Sequence, residues 1–174
     1  MKKLILAAFA VFALTFTNAQ GGDFGLLGGL TILSPDIDGF DADSETGFLV
    51  GAFVELGLSD NFAIQPELTY SMAGDISMLN INAIAKIGVA DGFDIHVGPK
   101  LGFAGGDDID DIDDLLGDDF TKTNFQIAAG VGYDFTENFF AQARYGFQIN
   151  DHFTGDGDGG IKINTLDVTL GYRF

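Results

Sequence analysis

Three groups of side chains in this sequence are of types that do chemistry in other proteins. The first is acidic. The stretch PDIDGFDADSE (35–45) holds five carboxylates, GGDDIDDIDDLLGDD (105–119) holds eight and NDHFTGDGDGG (150–160) holds three; with Asp75 they carry 17 of the 26 acidic residues. Carboxylate oxygens are the ligands that Ca²⁺ and Mg²⁺ take, which makes Asp107, Asp108, Asp110, Asp111, Asp113 and Asp114 candidate cation ligands. Weak binding is expected at most, because Gly-rich loops lose chain entropy when they gather around an ion. The spacing Asp36-x-Asp38-Gly39 lacks the rest of a twelve-residue calcium loop, and 155–160 matches a nonapeptide calcium repeat only in part. The plainer reading of such runs is a set of solvated, self-repelling loops, and no resident cofactor is expected.

The second group is His152, after Asp151, with Ser34, Ser71 and Ser77 as hydroxyls at the same end of their segments. A Ser/His/Asp set there would suit an enzyme that modifies membrane lipid. Nothing in the spacing fixes such a geometry, so the chain is read as non-enzymatic. The third group is Glu55, Glu67, Lys86, Asp94, His96, Lys100, Asp134, Arg144, Asp167 and Arg173, which recur on one side of segments with period-two alternation. His96 has no second His or Cys nearby in sequence, and a satisfied hydrogen bond is expected of it rather than metal ligation.

The elements that position these groups follow from hydropathy. The start, MKKLILAAFAVFALTFTNAQ, has Lys2 and Lys3, an apolar run from Leu4 to Phe16 and small or polar residues around Ala19. That is the layout of a secretory signal peptide, with cleavage expected after Ala19 and one domain over 20–174. With no Cys there is neither a disulfide framework nor a lipid attachment point. The formal net charge is −18, and −20 without the two lysines, which argues against nucleic acid as a partner.

Eight alternating runs follow, near residues 24–33, 46–58, 62–72, 76–89, 93–104, 122–135, 139–149 and 161–174. The second, fourth and sixth links are tight, whereas the first, fifth and seventh are long. Short turns at one end, longer loops at the other and strands of about ten residues predict an eight-stranded antiparallel up-and-down transmembrane β-barrel. One face collects Phe48, Val50, Val54, Leu68, Tyr70, Ile87, Ile95, Val97, Phe125, Val131 and Phe147 among others. The opposite face carries Gly51, Gly98, Gly130, Gly146 and Gly171 with Gln65, Asn80, Asn82, Gln126, Gln142 and Gln148. An eight-stranded barrel has room inside only for its own side chains, so the bulky face is expected to point outward into lipid. Counted from the short-turn end, Glu67 and Arg144 both sit five residues in, across the barrel from each other. They are expected to pair, within an ion-pair network that also takes in Glu55, Lys86, His96, Lys100, Asp167 and Arg173. Phe62, Phe93, Phe139, Tyr172 and Phe174 fall at the short-turn end as an aromatic girdle.

The stretches FDIHVGPKLGF (93–103) and NFQIAAGVGYDFTENFFAQARYGF (124–147), with the closing TLGYRF, resemble PorT-like outer-membrane β-barrel proteins of Gram-negative bacteria, small barrels of the OmpA/OmpX kind. The resemblance covers nearly the whole mature chain. It implies an outer-membrane location, and it marks Tyr172 and Phe174 in the last strand as a signal of the sort read by the barrel-assembly machinery. It implies a molecular activity only poorly, since members range from secretion-system components to proteins without an assigned role, and the secretion role is not carried over. The expectation is a monomer whose partners are outer-membrane lipid and the assembly machinery, with a packed lumen, acidic extracellular loops and a structural or interaction role. The alternatives are a small-ligand carrier or narrow pore using the lumen, and a loop-borne adhesin or divalent-cation binder.

Overall fold

A computed structural model describes residues 22–37, 43–106, 109, 115, 121–152 and 160–174. Its eight strands are β1 (Gly22–Ile37), β2 (Glu45–Ser59), β3 (Phe62–Ala73), β4 (Ile76–Ala90), β5 (Phe93–Gly105), β6 (Thr123–Asp134), β7 (Phe139–Gln148) and β8 (Ile161–Arg173). Each pairs antiparallel with its neighbours in sequence, and β8 returns to β1 to close the cylinder. Closure leaves no open edge, which is the condition for a sheet to lie in lipid. The seam is completed beyond the last strand residue, where the Phe174 amide donates to the Phe24 carbonyl at 2.9 Å.

β1 runs to Ile37, four residues further than the alternation suggested. Its ladder with β8 continues to the pair Ile37↔Ile161, whereas its ladder with β2 stops at Leu33↔Glu45. Ser34, Pro35 and Asp36 therefore pair on one side only, which is where a strand tolerates a proline that has no N–H to donate.

Alternation sorts the side chains as expected for the outward set. Leu26, Leu30, Val50, Ile81, Val97, Val131, Phe147, Val168 and Leu170 are all exposed. Val54, placed in that row by its spacing, is instead covered; it sits opposite Phe24 in register, and the Phe24 ring stacks on Phe174 at 5.0 Å. At the short-turn end Tyr172 contacts both Phe139 and Phe174, with centroids 4.8 and 5.0 Å apart, and Tyr133 contacts Phe93 and Phe135. The apolar band on β5 runs from Phe93 to Phe103. At ~3.3 Å per residue and a tilt of ~40° it stands ~25 Å tall, the height of a hydrocarbon core crossed by a barrel.

The interior departs from the expectation of small and polar residues alone. Two apolar clusters lie inside, one of Leu27, Leu49, Phe53 and Phe140, the other of Leu33, Ala73, Met78, Ala104, Ile109 and Ile163. Two large rings fit because glycine faces each of them. A Cβ built on Gly25 would lie 2.4 Å from Phe53 Cζ, and one on Gly171 would lie 2.1 Å from Phe140 Cζ. The glycines are the space the rings occupy, so glycine and ring together keep the interior at the packing density of a core.

Candidate functional site: the barrel lumen

Between the two apolar clusters the inward positions carry charge. Arg144, on β7, donates from Nη1 to both oxygens of Glu67 on β3, at 2.7 and 2.8 Å. Its Nη2 donates to Gln142 Oε1 at 2.6 Å, and its Nε to His96 Nδ1 at 2.8 Å. Glu67 also accepts from Gln65 and Asn82, at 2.6 and 2.9 Å. Both partners are buried, and an ion pair in that setting holds only with further hydrogen bonds to its remaining lone pairs and protons, which His96 and Gln142 give Arg144 and Gln65 and Asn82 give Glu67.

His96 links this group to a second. Because Nδ1 accepts from Arg144, the proton of the neutral ring belongs on Nε2, which faces Asp94 Oδ1. Nearer the short turns, Lys86 lies 2.7 Å from Glu55, while Arg173 lies 2.9 Å from Asp134 and 3.4 Å from Glu55. The Lys86 ammonium and the Arg173 guanidinium also lie over the Phe140 ring, 5.3 and 4.7 Å from its centroid. Such cation–π contacts strengthen with desolvation. A third group stands apart from these: Lys100 donates to Asp167 at 2.8 Å and to Thr165 at 3.0 Å, and Asp167 accepts from Thr31 at 2.7 Å.

What remains open is small. Midway along the lumen, beside Glu67, Arg144, Lys100 and Asp167, is a cavity of about 20 Å³. At the short-turn mouth a vestibule of about 280 Å³ is lined by Glu55, Asp60, Asn61, Lys86, Asp94 and Asp134 among others. The sequence reading missed the ring plug of Phe53 and Phe140. Its signal was present in the Phe139-Phe140 pair, where one ring of two adjacent strand residues must face inward.

The family model of the outer membrane protein beta-barrel domain matches residues 4–174. The chain belongs to this family. It is therefore an outer-membrane barrel, and its short turns face the periplasm. Among solved structures it is similar to Ail, the attachment invasion locus protein of Yersinia pestis, with TM-score 0.57 and 15% identity over 89% of this chain and 100% of that one. It is also similar to Neisserial surface protein A, with TM-score 0.51 and 14% identity over 88% of this chain and 98% of that one. At these identities the likeness is one of fold. No curated protein matches the sequence.

At the outer end of this outer-membrane barrel, the Thr121 amide donates to the His152 carbonyl and the His152 amide to the Ile161 carbonyl, both at 2.8 Å. The His152 ring is buried, with Nδ1 2.6 Å from the Thr121 carbonyl oxygen, and burial pushes its pKa below the usual histidine range. Of the serines considered with it, Ser34 bonds to Ser44 at 3.0 Å and Ser71 is buried inside the barrel. The six aspartates named as candidate cation ligands, Asp107, Asp108, Asp110, Asp111, Asp113 and Asp114, lie outside the described residues, as do residues 1–19, expected to form a signal peptide.

Proposed function

We propose that this protein is a sealed, non-enzymatic outer-membrane barrel that acts through its stability in the membrane and through the surface it presents outside the cell. The observation that carries this reading is the interruption of the lumen at three levels. The Phe53 and Phe140 rings meet edge to face at 5.4 Å near the periplasmic end, the Arg144–Glu67 pair spans the middle, and the Leu33, Met78 and Ile163 cluster fills the outer end. A cavity of about 20 Å³ between them has room for about one water, not for a file of hydrated ions. The charged lumen residues are then structural: they fill a narrow interior with pairs that satisfy one another, which an eight-stranded barrel requires.

The outer surface would carry the interactions. One Ail structure is of a complex with the heparin analogue sucrose octasulfate. The loops of this chain bear a large excess of carboxylates, so a polysulfated ligand is disfavoured here by like-charge repulsion. Within its family a kinship with PorT-like members is proposed, supported by the stretches that resemble them and without their secretion role. Residues 1–19 are proposed to be removed on export, which N-terminal sequencing of the mature protein would check by reading Gln20 first.

The test of the sealed lumen is electrical. Refolded barrel in a planar bilayer should add no conductance above that of protein-free lipid. Reproducible unitary steps from the wild-type protein would replace this reading with that of a narrow pore.

A further inference from the structure

His96 stands between two charged groups with one ring nitrogen turned to each. Nδ1 accepts from Arg144 Nε at 2.8 Å, while Nε2 faces Asp94 Oδ1. An arginine side chain is never deprotonated in a protein, so its Nε–H always donates, and Nδ1 bears no proton while that bond exists. A second proton on the ring has to go to Nδ1, the one place the Arg144 N–H already fills. We propose that His96 is a proton-operated latch on the Arg144–Glu67 brace, in which uptake of a second proton by the ring and release of Arg144 Nε are one event.

The charges around the ring make the two states distinct. On its own strand is Asp94, on β7 Arg144, and on β4 Lys86, which lies opposite His96 in register and 4.0 Å from Asp94. Glu67 on β3 reaches the ring only through Arg144, and Glu55 on β2 is taken up by Lys86 and by Arg173 of β8. Further along β5, Lys100 is paired with Asp167 of β8. β6 carries Asp134, on Arg173, and brings Gly132 against the ring, where a Cβ would lie 2.8 Å from Nε2 and 2.7 Å from Asp94 Oδ1. That glycine is the room in which imidazole and carboxylate meet. A doubly protonated ring sets its charge beside Arg144 and Lys86, with Asp94 to offset it, and turns Nδ1 from an acceptor into a donor. Arg144 then keeps Glu67 and Gln142 but loses the contact that fixes its Nε. Asp94 also lines the periplasmic vestibule, which brings the latch within reach of the acidity of that compartment.

The test follows both partners at once by nuclear magnetic resonance of the refolded barrel, with histidine and arginine labelled with heavy nitrogen. The chain has two residues of each type, so their signals are assigned by comparison with His152→Gln and Arg173→Lys. At about pH 7.5 His96 Nδ1 should read as unprotonated and Nε2 as protonated. On acidification the Nδ1 signal and the Arg144 Nε signal should shift along one curve with one midpoint, in a barrel that circular dichroism shows to be still folded. His96→Gln offers Arg144 an amide oxygen that does not titrate, and should hold the Arg144 signal constant over the same range. A ring already protonated on Nδ1 at the start overturns the proposal, as does one that gains its second proton while Arg144 stays unmoved, or one that remains neutral until the barrel unfolds. An Arg144 shift that persists in His96→Gln overturns it too, by assigning the shift to another group. The wild-type titration decides the matter even if that variant refolds poorly.

Discussion

Arg144 reaches from β7 to Glu67 on β3, the strand opposite it in the cylinder, and touches both of its carboxylate oxygens at 2.7 and 2.8 Å. A bond across the diameter does what ladder bonds between neighbouring strands cannot: it ties the two halves of the wall together. Removing one partner strands the other charge in a dry interior. Arg144→Leu is thus expected to destabilise the barrel by about 3–5 kcal/mol, and the double change with Glu67→Leu by clearly less. Because the chain has no Trp, unfolding is best followed by circular dichroism or by the shift in gel mobility on heating. A double-mutant cycle with zero coupling would show that the pair contributes nothing as a pair.

The ring plug makes a prediction about a small residue. A methyl group on Gly171 would fall 2.1 Å from Phe140 Cζ, so Gly171→Ala should destabilise by about 1–3 kcal/mol through overpacking. Adding Phe140→Leu should recover much of that loss by shrinking the opposing side chain. If Gly171→Ala unfolds at the wild-type midpoint, the ring is not held against that strand.

Phe174 closes the β1–β8 seam through its backbone and stacks on Phe24 at 5.0 Å in the interfacial girdle. Deleting it should lower the yield of heat-modifiable barrel in outer-membrane fractions well below that of Asp60→Ala, a change in an exposed periplasmic turn. Equal yields from the two variants would contradict a role in closure or assembly.

His152 gives a pH dependence at the outer end. Its pKa in the fold is depressed by burial, which outweighs the Thr121 carbonyl and the Asp151 charge that favour the protonated ring. The unfolded or opened state therefore binds more protons, and the contacts to Thr121 and Ile161 weaken as pH falls below about 6.5, the ordinary histidine value. The protection factors of the Thr121 and His152 amides, that is, exchange rates taken relative to the base-catalysed rate of an unprotected amide at the same pH, should fall on going from pH 7.5 to 5.5, by at most about tenfold per pH unit once the opened state is protonated. His152→Gln should remove that slope, and an unchanged slope in this variant would assign it to another group.

Much of this protein was legible without a structure, because a barrel wall is a two-period object. Strict alternation over eight runs, with links that are short at one end and long at the other, already fixes strand number, topology and the face turned to lipid. The levels of Glu67 and Arg144, counted from the short turns, followed from the same regularity. What alternation cannot specify is how inward side chains meet across a diameter, since reach, rotamer and the tilt of the strands are three-dimensional quantities. That is why Phe53 and Phe140 emerged as a plug only once Gly25 and Gly171 were seen opposite them. It is also why His96 proved to bridge Asp94 and Arg144. The sequence determined the wall by local period; the contents of the lumen were decided by contacts between strands far apart in the chain, which only closure of the cylinder brings within bonding distance.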